Sequence, residues 1–163
     1  MKKLNPDHVE AILKLINQGP YFQLLSIDVI ELGWQYCKLV VQLDKKHLNP
    51  FGGLHGGVHA SLIDTAAYWA SYCALPEDVG LISVDLTVNN LSTTNAGKLI
   101  VEGTGIKSGR SICFSQATVT DDSGKLLAHG FSKQMVTNGL QSIDQAVLAM
   151  GHPALPPKFI LET

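Results

Sequence analysis

Asn49, His55, Gly56 and Asp64 are the residues whose types and spacing suit chemistry at a carbonyl group. The first three lie in the run His47-Leu48-Asn49-Pro50-Phe51-Gly52-Gly53-Leu54-His55-Gly56-Gly57, which leads into an apolar helical pattern over residues 58–75 with Asp64 in its middle. Four glycines within residues 52–57 let the backbone take positive φ and approach a ligand closely. They feed a helix N-terminus, whose free N–H groups and dipole favour negative charge. Such a loop can stabilise an oxyanion, and the carboxylate further along can serve as base or nucleophile.

These residues need a scaffold, and the hydrophobic period divides the chain into one. Residues 4–18 place Val9, Ile12, Leu13 and Ile16 on one helical face, with Asn5 as N-cap, Pro6 at the first helical position and Gly19-Pro20 as the stop. Residues 26–32 and 34–43 read as two strands meeting at Gly33, which predicts a hairpin. After the apolar helix come four more strand-like runs, 81–91, 99–107, 111–120 and 126–137, with turn chemistry at Ser108-Gly109-Arg110 and Asp121-Asp122-Ser123-Gly124. Alternating strands and short turns predict an antiparallel sheet, and the inserted helix predicts that the sheet wraps around it.

Composition narrows the function classes. With 163 residues, 45% hydrophobic and 16% charged, the chain reads as one domain with a sizeable core. Net charge is −2 and no Lys/Arg run exceeds two residues, so no nucleic-acid or membrane-surface partner is expected. The start, Met1-Lys2-Lys3-Leu4-Asn5-Pro6, lacks the apolar core of a signal peptide, and a cytoplasmic location is expected. Cys37, Cys73 and Cys113 sit in apolar or alternating segments and read as buried free thiols. His55 and His59 stand four apart, but Gly56-Gly57 makes the first a loop residue and no third ligand follows at a zinc-like spacing, so no metal is expected. His8, His47, His129 and His152 are dispersed. No Gly-x-Ser-x-Gly elbow is present.

The order helix, two strands, central helix, four strands resembles the hotdog fold, an α+β architecture with an antiparallel sheet around a long central helix. Asn49, Leu54-His55-Gly56-Gly57, Leu62, Asp64-Thr65-Ala66, Ser83-Val84-Asp85-Leu86 and Gly109-Arg110 resemble the PaaI-type acyl-CoA thioesterases over about residues 24–136. An Asn six before His-Gly-Gly together with an Asp nine after the His is the specific part of the match. The division that follows is an N-terminal amphipathic helix, 1–23, a hotdog domain, 24–137, and a C-terminal extension, 138–163. The resemblance implies hydrolysis of a coenzyme A thioester in a homotetramer built from dimers that share one sheet. Coenzyme A enters as part of the substrate, so no cofactor is expected.

The spacing of Gly56 and Asp64 itself calls for a dimer. Gly56 and Asp64 are eight residues apart, roughly 12 Å along a helix at about 1.5 Å per residue. One chain cannot set both against one carbonyl. Antiparallel pairing of two central helices would bring Gly56 of one subunit beside Asp64 of the other, twice over.

Asp64 lies among Ala60, Leu62, Ile63, Ala66, Ala67, Tyr68 and Trp69, where an unpaired carboxylate is unfavourable. A structural alternative ties it to Ser61 or Thr65. The resemblance implies that Asn49 orients the water or the carbonyl, that His55 shapes the loop or touches the thioester oxygen, and that Ser83 hydrogen-bonds near Asp64. Read alone, Asn49-Pro50 is an ordinary turn and Ser83 an ordinary strand serine. Lys107, Gly109 and Arg110, with Lys133, match where the family grips the nucleotide, since phosphates need cations and backbone donors. A solvated hairpin explains them equally well. Phe51, Tyr68 and Trp69 fit an aryl acyl group, and medium-chain groups fit too.

Three alternatives stand beside hydrolysis: a hotdog enoyl-CoA hydratase, which would need an Asp-and-His dyad placed for water addition, an acyl-CoA sensor without turnover, and a purely structural oligomer. The tail exceeds the family core, with a helix pattern at 140–150 and a proline-rich stretch at 153–163 carrying Leu155, Phe159, Ile160 and Leu161. It is expected to pack on a partner subunit or to cover the acyl tunnel.

Overall fold

Helix α1 (Pro6–Asn17) begins as its sequence dictates, with Asn5 accepting from the Asp7 N–H and Pro6 at the first position. It buries His8, Ile12 and Ile16. The computed structural model describes residues 2–161. Gly19-Pro20 stops α1 but also starts a second short helix, α2 (Pro20–Leu25), which the sequence reading passed over. Pro20 occupies its first position, and the helix ends at Ser26 in a left-handed conformation.

The hairpin follows as β2 (Ile27–Gly33) and β3 (Tyr36–Gln42), then the glycine loop, then α3 (Gly56–Tyr72). Strands β4 (Gly80–Asn90), β5 (Lys98–Ser108), β6 (Ile112–Asp121) and β7 (Leu126–Thr137) complete a six-stranded antiparallel sheet in the order β2-β3-β5-β6-β7-β4. The expected antiparallel sheet around one helix is therefore present. β2 and β4 are its edges, and the apolar face of α3 lies against β3 through β7.

The sheet accepts the helix closely because one row across it carries small residues. The pairing register aligns Cys37, Gly103, Ala117, Gly130 and Val88 on five successive strands. A Cβ on Gly103 would stand 2.3 Å from the Ala66 carbonyl oxygen of α3, and one on Gly130 would meet Ile63 Cγ2 at 2.9 Å and the Thr87 carbonyl at 2.3 Å. Ala66, Ala67 and Ala70 are fully buried, so backbone approaches backbone along this trough. Cys37, Cys73 and Cys113 are all buried free thiols.

The extension forms helix α4 (Ile143–Ala149), capped by Ser142, and a short strand β8 (Phe159–Leu161) that pairs with β1 (Lys2–Leu4). It packs on its own chain: Asn5 donates to the Lys158 and Pro157 carbonyls at 2.9 and 2.8 Å. Lys158 is buried, with Nζ donating to the Tyr72 and Leu75 carbonyls at the C-terminal end of α3 and lying 3.6 Å from the Tyr72 ring centre. A cation there complements the helix dipole. Burial nevertheless pulls the Lys158 ammonium down to about 8. Lys158→Ala leaves two carbonyls unpaired and opens a void, so it is expected to destabilise the fold by about 2–4 kcal/mol, read from denaturant unfolding.

Candidate functional site

The loop before α3 is built around Asn49. Its Oδ1 accepts from the Phe51 and Gly53 N–H groups at 2.9 and 3.2 Å, while Gly52 takes φ +85°, a conformation glycine supplies without strain. Leu54 N–H donates to the Thr94 carbonyl, and His55 N–H to that of His47. Among the described residues the Asn49 Nδ2 donates no hydrogen bond. Asn49 thus shapes the loop with its oxygen and keeps its amide donor uncommitted.

His55 is the N-cap of α3. Its Nδ1 accepts from the Gly57 N–H at 2.9 Å, so in the neutral ring the proton sits on Nε2; the side chain is exposed and lies outside the lining of the depression that holds Asn49 and Gly56. The cap consumes the Gly57 donor. Gly56, the first helical residue, donates no hydrogen bond among the described residues, so its N–H is the uncommitted backbone donor at this helix start. Asn49, Gly53, Gly56 and His59 share a depression of about 520 Å³ with Asn90 and Thr93.

Sequence reasoning gave His59 no role beyond the rejected metal pair. It is only 2% exposed, its Nδ1 lies 2.7 Å from the Asn90 Oδ1, and its Nε2 has no partner among the described residues. An amide oxygen accepts, so Nδ1 carries the proton. The Asn90 amide in turn packs on Gly56, where an added Cβ would lie 3.0 Å from Nδ2. Burial pushes the His59 ring below its usual 6.5, and the Asn90 bond opposes this. The unfolded chain therefore binds a proton that the folded chain resists, so this contribution is complete above pH 6.5 and is lost as pH falls below it. His59→Asn keeps a donor near the Nδ1 position and cannot titrate; melting temperatures against pH are expected to fall less steeply on the acid side than in wild type.

Asp64, half-buried two turns further along α3, opens into a second depression of about 460 Å³ lined by Tyr21, Phe22, Ser61, Tyr68, Trp69 and Leu86 among others. Its Oδ1 accepts from the Ser132 hydroxyl at 3.2 Å. That hydroxyl was not singled out in the sequence. Ser83 pairs with Gln134 across the sheet and is exposed on β4, with no hydrogen bond to Asp64 among the described residues. Neither Ser61 nor Thr65 ties the carboxylate: Ser61 donates to the Gly57 carbonyl at 2.9 Å and receives the Tyr21 hydroxyl at 2.6 Å. Burial, with the charge of Asp64 adding to it, pushes the Tyr68 phenol up to about 12.

Both depressions flank β4, since Leu86 lines one and Asn90 the other. This strand is a sheet edge and exposes Ile82, Val84 and Leu86. At the far end of β5, Lys107 and Arg110 are exposed, and neither forms an ion pair among the described residues. Gly109 N–H donates to Ile112 O in the turn, and Lys133 on β7 pairs with Asp85 at 2.6 Å. Among the described residues no cluster of three or more His, Cys, Asp or Glu could hold a metal, and no helix is long and apolar enough to cross a membrane.

An uncommitted N–H at a helix start and a carboxylate on the same helix are placed by a fold with known relatives. The model of the Thioesterase superfamily matches residues 51–128. Human acyl-coenzyme A thioesterase 13 is 29% identical over 124 residues, 75% of this chain and 86% of that protein. The 1,4-dihydroxy-2-naphthoyl-CoA hydrolase of Listeria monocytogenes is 33% identical over 107 residues, 64% of this chain and 85% of that protein. The crystal structure of a thioesterase from Haemophilus influenzae superposes with a TM-score of 0.75 at 26% identity, covering 81% of this chain and 92% of that one. The chain belongs to the thioesterase superfamily and is a thioester hydrolase with the hotdog fold.

Proposed function

We propose that the protein is an acyl-CoA thioesterase of the PaaI type, acting in the cytoplasm as a homodimer that pairs further into a tetramer. The observation that carries this reading is the placement of an uncommitted Gly56 N–H and the Asp64 carboxylate in separate depressions along one exposed, apolar edge strand. Pairing of β4 with its two-fold copy would satisfy the free edge and bring Gly56 of one chain towards Asp64 of the other.

In that arrangement the thioester oxygen accepts from the Gly56 N–H at the positive end of α3, where charge develops during attack. Asp64 attacks the carbonyl carbon or takes the proton of an attacking water. The tetrahedral intermediate then collapses, the C–S bond breaks and coenzyme A leaves as its thiolate. With water as the attacking group this releases the free acid directly. With Asp64 as the attacking group, a water then cleaves the acyl-aspartyl anhydride to the acid and restores the carboxylate. Asn49 contributes its free amide donor, and His55 its Nε2–H. Lys107 and Arg110 meet the nucleotide phosphates, joined by Lys133 when it releases Asp85, while Gly109, expected to add a backbone donor, instead spends its N–H on Ile112 to close the turn. Tyr21, Phe22, Tyr68 and Trp69 bound the acyl group.

The test is release of free coenzyme A from short, medium, long and aryl acyl-CoA esters by the purified protein. Turnover of one class above the others supports the reading and names the acyl group. Tight acyl-CoA binding without turnover would replace it with the sensor.

A further inference from the structure

Four polar side chains lie where the core should be apolar. Ser132 and Gln134 point inward from β7, Ser115 from β6, and Ser71 faces them from α3; each is 1% exposed or less. Buried polar groups are unfavourable unless bonded, and substrate contact does not explain residues this deep. They are bonded to one another in a line. Ser115 and Ser71 hydroxyls are 2.6 Å apart, Ser71 lies 2.7 Å from Gln134 Oε1, Gln134 Nε2 is 2.8 Å from Ser132 Oγ, and Ser132 reaches Asp64 Oδ1 at 3.2 Å.

The direction of every proton in this line is fixed by its end. An ionised carboxylate only accepts, so Ser132 donates to Asp64. Ser132 then accepts from the Gln134 amide nitrogen, which turns the Gln134 oxygen to Ser71. That oxygen only accepts, so Ser71 donates to it, and Ser115 must donate to Ser71. All four donors aim at Asp64, and aligned bonds in a low-dielectric interior reinforce one another. Asp64 Oδ2 has no partner among the described residues.

We propose that Ser132, Gln134, Ser71 and Ser115 form a one-way hydrogen-bond relay that holds the Asp64 carboxylate in one orientation, with Oδ1 tethered to the core and Oδ2 presented to the reacting water or carbonyl. They are positioning residues, and their effect on turnover rests on the thioesterase reading above. A network that only knits the core would change stability and leave the chemistry of folded protein alone.

Ser132→Ala and Gln134→Met, checked for folding by thermal melting, separate the two. On the preferred acyl-CoA, kcat is expected to fall about tenfold in Ser132→Ala and about threefold in Gln134→Met, with KM unchanged. In an Asp64→Asn background neither change is expected to lower the residual rate further, because the relay acts through that carboxylate. A crystal structure of Ser132→Ala, or of Gln134→Met if Ser132→Ala does not fold, is expected to show the carboxylate rotated from its wild-type position. Unchanged kcat in an active enzyme, losses that persist in full without the carboxylate, or an unmoved carboxylate would each overturn the relay. If the wild type hydrolyses no acyl-CoA, the proposed function fails, and the crystallographic comparison still decides the relay.

Discussion

Asp64→Asn is expected to lower kcat at least about 100-fold, the scale seen when an essential base or nucleophile is removed, with melting temperature and assembly close to wild type. The stability half follows from the local geometry. An amide has the volume of a carboxyl and keeps an oxygen that can accept from Ser132, so the half-buried side chain loses no partner. What it loses is the capacity to take a proton or attack a carbonyl. Thiol release from the best acyl-CoA measures the effect, and activity within a few fold of wild type would remove Asp64 from the chemistry.

Gly56→Pro is expected to reduce kcat by about 10²–10³, because it deletes one N–H and little else. Proline is favoured at the first position of a helix, where its φ fits and no intrahelical bond is lost. The residue before it must be extended, and His55 already is, at φ −71° and ψ 131°. Crowding is the competing cause of a loss, since any Cβ here approaches Asn90 Nδ2 at 3.0 Å. Gly56→Ala carries the same Cβ and keeps the N–H, so its rate isolates that contribution; equal losses in both variants would deny the donor role. Mixing Gly56→Pro with Asp64→Asn protein tests the shared site. If each site takes one residue from each chain, half of randomly reassorted dimers hold one intact site, and about a quarter of wild-type activity should return.

The scaffold was readable wherever one physical signal dominated. Strand β7 was expected at 126–137 and is Leu126–Thr137, because charged and turn residues bound a clear alternation. The central helix was expected from residue 58 and starts at Gly56, since His55 caps it with a ring nitrogen rather than the hydroxyl or carboxylate that usually announces a start. Helix α2 hid behind Gly19-Pro20, a pair that ends one helix and opens another equally well. In the site, the helix start and Asp64 stood out because their spacing is unusual. The carboxylate's partner did not. Ser132 is 68 residues from Asp64, and only the pairing of strands brings them together. A signal for it was present nonetheless: Ser132 and Gln134 interrupt the inward positions of an alternating strand, while Lys133 and Met135 occupy the outward ones. His59 was masked by its apolar neighbours, which disguise a buried polar residue as part of a helix face.

The trough of small residues under α3 separates two properties that most pockets couple. Contact between the Ala66 carbonyl and the Cα of Gly103 fixes the depth of the helix, and that contact involves no side chain beyond a hydrogen. The carboxylate's height above the sheet is therefore set by backbone against backbone, a stiff constraint. Tyr21 and Phe22, which line the depression beside Asp64, belong to α2 rather than to α3 or the trough. They can change in size and shape without tilting the helix, so such a scaffold can acquire a new acyl preference while its reacting group stays still.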